Sequence, residues 1–221
     1  MKVAVIGANG QLGSDVYSAF QDNGDDGVAL NHDTFEVNDF ETVDSVMHDI
    51  MPDLVVNTAA MHNVEVCEID PARAFAVNGI GARNLAQVSN EVGYTLMHIS
   101  TDYVFGGSKK SPYIEADCPE PLNVYGNTKL AGEYFVRTIA EKHFVLRFSG
   151  IYGKNPCRAK GGLNFVSLML KLAKERDEIR VVDDEILTPT YTVDIANQIV
   201  RLMDSDVYGL YHVTAQGSCS W

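Results

Sequence analysis

The sequence predicts an α/β fold: a doubly wound parallel sheet (Rossmann-type) with a small, apparently incomplete C-terminal substrate lobe. Two observations carry this. Short β-branched apolar runs alternate with amphipathic helical stripes over residues 1–150, the pattern of βαβ units. A glycine-rich turn stands between the first run and the first stripe, where an open α/β sheet offers its ligand site.

Val3 to Ile6 is a β-branched run ending at Gly7, as expected of a buried parallel strand. Leu12, Val16, Ala19 and Phe20 recur at helical spacing up to Asn23-Gly24. Val28 to Leu30 is a second strand. Phe40, Val43, Val46, Met47 and Ile50 mark a second helix, stopped by Pro52. Leu54 to Val56 is a strand, Pro71 to Val92 a long helical stretch, and Thr95 to Ile99 another strand. A helix is predicted from about Val124 to Lys142, then a strand from Phe144 to Phe148. Gly106 to Leu122, rich in glycine, proline and charge, reads as a surface excursion. Beyond Gly153 the pattern loosens. Helices are predicted at Leu163–Lys174 and Thr192–Met203, and strands at Ile179–Val182 and Leu210–Val213. The reading is a dinucleotide-binding domain over 1–150 and a partial substrate-binding lobe over 151–221. The ending at Trp221, after a turn-like stretch and without a closing helix, reads as premature.

A chain of 221 residues accommodates one domain with a small appendage. With 46% hydrophobic and 21% charged residues it can bury a full core, which argues against disorder. Lys and Arg number 17 against 30 Asp and Glu, a formal charge of −13. That field repels phosphate backbones and anionic lipid, so neither nucleic acid nor a membrane is expected as partner. An anionic metabolite must then be held by local backbone donors. Cys67, Cys118, Cys157 and Cys219 form no Cys-x-x-Cys pair, and the six histidines show no ligand spacing, so no metal is expected. Reduced cysteines, a short N-terminal apolar run and no transmembrane-length segment predict a cytoplasmic protein.

Gly7-Ala8-Asn9-Gly10-Gln11-Leu12-Gly13 is the first constellation with chemistry in it. Its glycines allow a tight turn, close approach of a pyrophosphate and close helix–strand packing; the helix N-terminus supplies free N–H groups. The spacing is Gly-x-x-Gly-x-x-Gly, and a tight structural connection is the simpler alternative. The second strand ends Leu30-Asn31-His32, without the carboxylate that would bind an adenosine ribose and repel a 2′-phosphate. This favours NADPH, with NADH possible if the strand end shifts and Asp33 takes that position. Glu36 and Val37 are expected against the adenine, although Glu36 could equally be a solvated loop acid.

The second constellation is Ser100-Thr101-Asp102-Tyr103 at a strand end, followed by Tyr125-Gly126-Asn127-Thr128-Lys129. Tyr125 and Lys129, four apart on a helix, share one face. An ammonium near a phenol lowers the phenol's pKa toward working pH, which suits a proton donor to a carbonyl becoming an alcohol. An exposed helical pair is the alternative reading.

With these segments in view, the chain resembles the extended short-chain dehydrogenase/reductases, and within them the dTDP-4-dehydrorhamnose reductase family. The carrying stretches are residues 7–13, Val-Asn-Thr-Ala-Ala at 56–60, Ser-Thr-Asp-Tyr-Val-Phe at 100–105, Pro-Leu-Asn-Val-Tyr-Gly-Asn-Thr-Lys-Leu-Ala-Gly-Glu at 121–133 and Pro-Thr-Tyr at 189–191. The resemblance implies Thr101, Tyr125 and Lys129 as a catalytic trio. It also implies cofactor contacts from Gly10, Gln11, Leu12, Ala60, Met61, His62 and Ile99, and sugar-nucleotide contacts from Thr101, Asp102 and the region of Gly150. The implied reaction is NAD(P)H-dependent reduction of a 4-keto-6-deoxy sugar nucleotide, with a homodimer possible. Two other activities stay open: a sugar-nucleotide epimerase or dehydratase, and a cofactor-binding regulatory subunit like that of methionine adenosyltransferase. The chain departs from the family at Ser149-Gly150, where members often carry Ser-Trp, so a large ring is missing from the expected sugar pocket.

Overall fold

The computed structural model describes residues 1–158 and 161–221. The first half runs β1 (Lys2–Ile6), α1 (Gln11–Asp22), β2 (Asp26–Leu30), α2 (Phe40–Ile50), β3 (Leu54–Asn57), α3 (Val64–Ile69), α4 (Pro71–Phe75), α5 (Gly81–Val92) and β4 (Thr95–Thr101). The second half runs α6 (Val124–Ile139), β5 (His143–Phe148), β6 (Ile151–Tyr152), α7 (Phe165–Glu175), β7 (Ile186–Leu187), β8 (Thr190–Tyr191), α8 (Thr192–Leu202), β9 (Gly209–His212) and β10 (Cys219–Ser220).

Among the described residues, six strands form one parallel sheet in the order β2-β1-β3-β4-β5-β9. Alternation along each strand divides the core into two layers. Val3 and Val5 of β1 join Val56, Met97 and Leu146 on one face, with Val16 and Phe20 of α1 and Ile195 and Ile199 of α8. Ala4 and Ile6 face the other layer, with Val43 and Met47 of α2, Leu85 of α5 and Val136 of α6. This is the doubly wound Rossmann architecture that the alternating pattern predicts. From β1 the chain passes to β2 on one side and returns to β3 on the other. The loops after β1 and β3 therefore part, and a crevice opens at the carboxyl edge of the sheet.

The segment after Gly150 rejoins this sheet: β9 pairs with β5, and α8 packs on α1. Its remaining strands make two small two-stranded sheets, β6 with β8 and β7 with β10.

Several elements differ from the sequence reading. Val181 and Val182, expected in a strand, are exposed at 40% and 57% and pair with no strand among the described residues, so their β-branched character finds no sheet to join there. The helix predicted to reach Lys142 ends at Ile139. The stretch from Pro71 to Val92 is interrupted by a π-helical turn over Ala76–Ile80, and α3, capped by Asn63 accepting from Val66 N, precedes it unpredicted.

Candidate active site

Because every pair in the main sheet is parallel, Gly7, Asn31, Thr58, Asp102 and Ser149 all follow strands that end at one edge. Gly7 has φ 78° and donates its N–H to Leu30 O at 2.8 Å, which only glycine does without strain. A Cβ on Gly13 would strike Gly7 O, so α1 can lie this close to the turn only with glycine there. Gly10 differs: a Cβ there would meet only Gly7 O, at 3.2 Å, and the space beyond is open. Gly10 caps α1 with no side-chain hydrogen bond, and no acidic residue stands in the first turn. Gln11 is 8% exposed, and its Nε2 has no partner among the described residues. An uncapped helix N-terminus, an open cradle and an orphaned buried donor suit a diphosphate.

Asn31 stands beside this turn, its Oδ1 accepting from Asn9 N at 3.0 Å. Glu36 bonds His32 Nδ1 at 2.8 Å. Val37 packs into the core at 4% exposure and its carbonyl accepts from Asn84 Nδ2 at 3.0 Å, so much of its acceptor capacity is already engaged. Leu12 is likewise in the core, and Ile99 packs beside the same layer.

The segment Ala60-Met61-His62 is held by a residue that sequence reasoning missed. Asn78, within the π turn, accepts from Met61 N and donates to Met61 O, each at 2.9 Å, and also donates to Thr128 Oγ1 on α6 at 2.9 Å. The widened turn aims this buried amide at a loop rather than along the helix, a common use of π bulges. An asparagine in mid-helix beside glycine was the available signal. His62 lies 3.5 Å from Cys157 Sγ, linking this loop to the segment after β6.

Thr101 ends β4 at 7% exposure. Its hydroxyl accepts from Tyr103 N at 3.2 Å and donates to Asp102 Oδ1 at 3.1 Å. α6 starts nearby because Asn123 caps it through Gly126 N at 2.8 Å. A Cβ on Gly126 would run into Tyr103 O, so the glycine seats the helix against the turn after β4. Tyr103 and Tyr125 then meet edge to face at 5.6 Å.

Tyr125 is bonded to Thr101, but its phenol pKa is raised, not lowered as the sequence reading expected. Burial is the main cause. The neighbouring Asp102, Cys67 and Tyr103 add to it, and the Thr101 hydrogen bond only partly opposes them. Lys129, 2% exposed, directs its Nζ toward His98 Nε2 at 3.5 Å. Burial depresses the Lys129 ammonium to about 8, against a partial restoring pull from Glu133.

On the other flank, Asp102 Oδ2 accepts from Ser149 Oγ at 2.5 Å, and Ser149 Oγ accepts from Thr188 N at 3.0 Å. Burial raises the Asp102 pKa while these hydroxyls pull it down. Gly150 has φ 50°, and a Cβ there would strike Leu187. Leu187, which no sequence motif singles out, thus leaves no room for a side chain at position 150. Leu187 also lines a cavity of about 130 Å³ with Gly150, Tyr152, Phe165, Pro189 and Trp221.

Comparison with known proteins agrees with this architecture. The family described as RmlD substrate binding domain matches residues 1–221. The chain is 40% identical over 220 residues to the Bacillus subtilis spore coat polysaccharide biosynthesis protein SpsK, covering all of this chain and 75% of that protein. It is 38% identical over 229 residues to the Escherichia coli dTDP-4-dehydrorhamnose reductase, with the same coverage. The crystal structure of the Bacillus anthracis dTDP-4-dehydrorhamnose reductase in complex with NADP superposes with a TM-score of 0.94 at 40% identity, covering all of this chain and 76% of that one. The chain therefore spans about three quarters of the length of these relatives. Since the match extends from the first residue to the last, this chain belongs to the RmlD substrate binding domain family.

Proposed function

We propose that this chain reduces the 4-keto group of a 6-deoxy sugar nucleotide, of the dTDP-4-dehydrorhamnose type, with NADPH. The observation that carries the reading is Thr101 at the end of β4 hydrogen-bonded to Tyr125 at the start of α6, on the sheet edge that also bears the open glycine turn, with Lys129 one turn further along α6. The named activities of the Escherichia coli and Bacillus anthracis relatives, and the NADP of the latter, support it.

On this reading Gly7, Gly10 and Gly13 leave room for the pyrophosphate, and the Gln11 and Leu12 amides bind it. Asn31 lies toward the adenosine ribose, Glu36 and Val37 toward the adenine, and Ala60, Met61, His62 and Ile99 border the dinucleotide. When bound, the reduced nicotinamide supplies the hydride. Tyr125, protonated throughout the neutral range because burial holds its pKa up, donates its proton to the substrate oxygen. Thr101, its hydroxyl proton turned from Asp102 Oδ1 to the substrate, donates a hydrogen bond to the same oxygen. Lys129 in its ammonium form offsets the phenolate left behind and holds the nicotinamide ribose. Asp102 and the backbone at Gly150 border the sugar.

The test is a turnover assay with dTDP-4-dehydrorhamnose. One NADPH consumed per alcohol formed supports the reading. Turnover without net loss of NADPH would make the chain an epimerase or dehydratase, and tight NADPH binding without turnover would favour a regulatory role.

A further inference from the structure

We propose that His98 is a positioning residue for Lys129: Asn57 fixes the imidazole tautomer that carries its proton on Nε2 and holds that N–H against Lys129 Nζ. Asn57 and His98 are cross-strand partners on β3 and β4, and Asn57 Nδ2 lies 3.2 Å from His98 Nδ1. The orientation of the amide is set independently. Asn57 Oδ1 accepts from Ala59 N at 3.1 Å, so its Nδ2, which can only donate, must face the ring. Nδ1 is therefore the acceptor and Nε2 bears the hydrogen.

Asn57, His98 and Lys129 are each no more than 2% exposed, so water does not mediate this contact from outside. α6 is shaped to admit the ring. Gly132, in mid-helix, would with a Cβ come 3.1 Å from His98 Nε2 and 2.5 Å from Asn78 O. Glycine costs a helix interior roughly 0.5–1 kcal/mol relative to alanine, a cost accepted here where the imidazole and helix meet. Burial and the Lys129 charge keep His98 neutral, so the ring is a fixed dipole and not a titrating switch.

The consequence is a matter of sign. An N–H pointed at Nζ opposes the ammonium and favours the amine. It acts with burial to keep Lys129 near its titration point, against Glu133 one helical turn on. Glu133 is itself paired with Arg147 of β5, and Asp102 acts on the neighbouring Tyr125. His98 thus tunes the charge that, in the function proposed above, offsets the Tyr125 phenolate. The inference rests on that reading for its catalytic meaning but not for its test.

The test is NMR on the cofactor-free chain. Long-range 1H–15N spectra should show His98 as the Nε2–H tautomer; the Nδ1–H tautomer would overturn the proposal. The Lys129 13Cε resonance, identified by its loss in Lys129→Met, should titrate about one unit higher in His98→Gln, whose amide can turn its oxygen to Nζ. Asn57→Asp keeps an acceptor for Ala59 N but reverses the tautomer, and should shift Lys129 the same way if His98→Gln does not fold. An unmoved Lys129 titration in a folded variant would overturn the proposal. Absence of turnover with an intact Nε2–H signature would instead count against the reductase reading alone. In an active chain, the same shift should appear in the alkaline limb of kcat with KM for NADPH unchanged.

Discussion

Glu133 of α6 and Arg147 of β5 meet in a two-pronged ion pair inside the protein, with Nε to Oε1 at 2.8 Å and Nη2 to Oε2 at 2.6 Å. Neither side chain exceeds 3% exposure, and Ser100 Oγ donates to Glu133 Oε1 at 2.5 Å. Arg147 also lies over the Phe105 ring, 5.0 Å from its centroid. The pair therefore ties α6, which carries Tyr125 and Lys129, to β4, β5 and the loop after β4.

Glu133→Gln should lower stability by about 3 kcal/mol or more, because it leaves a buried guanidinium without its counter-charge. Urea denaturation checks this. A loss below about 1 kcal/mol would mean that water reaches Arg147.

Lys129 makes stability depend on pH with a definite sign. Its ammonium titrates near 8 in the fold and near 10.5 in the ordinary state, so between those values the unfolded chain binds more protons. Stability relative to Lys129→Met should accordingly rise from pH 8 to pH 10.5, by about 3 kcal/mol. Denaturation of both proteins across that range measures it; a flat difference would show that the folded protein solvates the ammonium fully.

On the proposed role of Tyr125, Tyr125→Phe should reduce kcat by a factor on the order of 10² or more with little change in NADPH affinity. Steady-state kinetics and fluorescence titration read the two separately. An unchanged kcat would remove Tyr125 as proton donor.

Gly10→Val and Gly13→Ala should fail in different ways. At Gly10 the backbone is extended, with φ −84° and ψ 173°, and an added Cβ meets only one atom, at 3.2 Å. The fold should survive valine there while NADPH binding is lost, since the branched chain enters the space open to pyrophosphate. At Gly13 the Cβ strikes Gly7 O, so alanine should lower the Tm itself. Circular dichroism and cofactor titration distinguish the cases; undiminished NADPH affinity in folded Gly10→Val would move the site elsewhere.

Asn31→Asp should shift preference from NADPH toward NADH. An aspartate keeps the acceptor for Asn9 N, so the turn is retained, but adds a charge that repels a 2′-phosphate. Comparing both cofactors in the same assay tests it, and equal effects on the two would transfer the role to Asp33.

What the sequence determined by itself was whatever is written in local periodicity. The strand and helix alternation, the turn from Gly7 to Gly13 and the shared face of Tyr125 and Lys129 all depend on residues a few positions apart, where backbone geometry fixes the outcome. Tertiary structure alone decided the rest. Ile179–Val182 has strand composition but no strand beside it among the described residues, and Leu187 from a distant segment occupies the space a Cβ at Gly150 would need. The pKa of Tyr125 depends on burial and on Asp102, Cys67 and Tyr103, none of which the helical pair reveals. His98 is separated from Asn57 by 41 positions and from Lys129 by 31, and only the pairing of β3 with β4 beneath α6 brings them into contact. Periodicity states which face a side chain takes; the free energy of a buried charge depends on what lies opposite, and that is settled only when the sheet and helices close together.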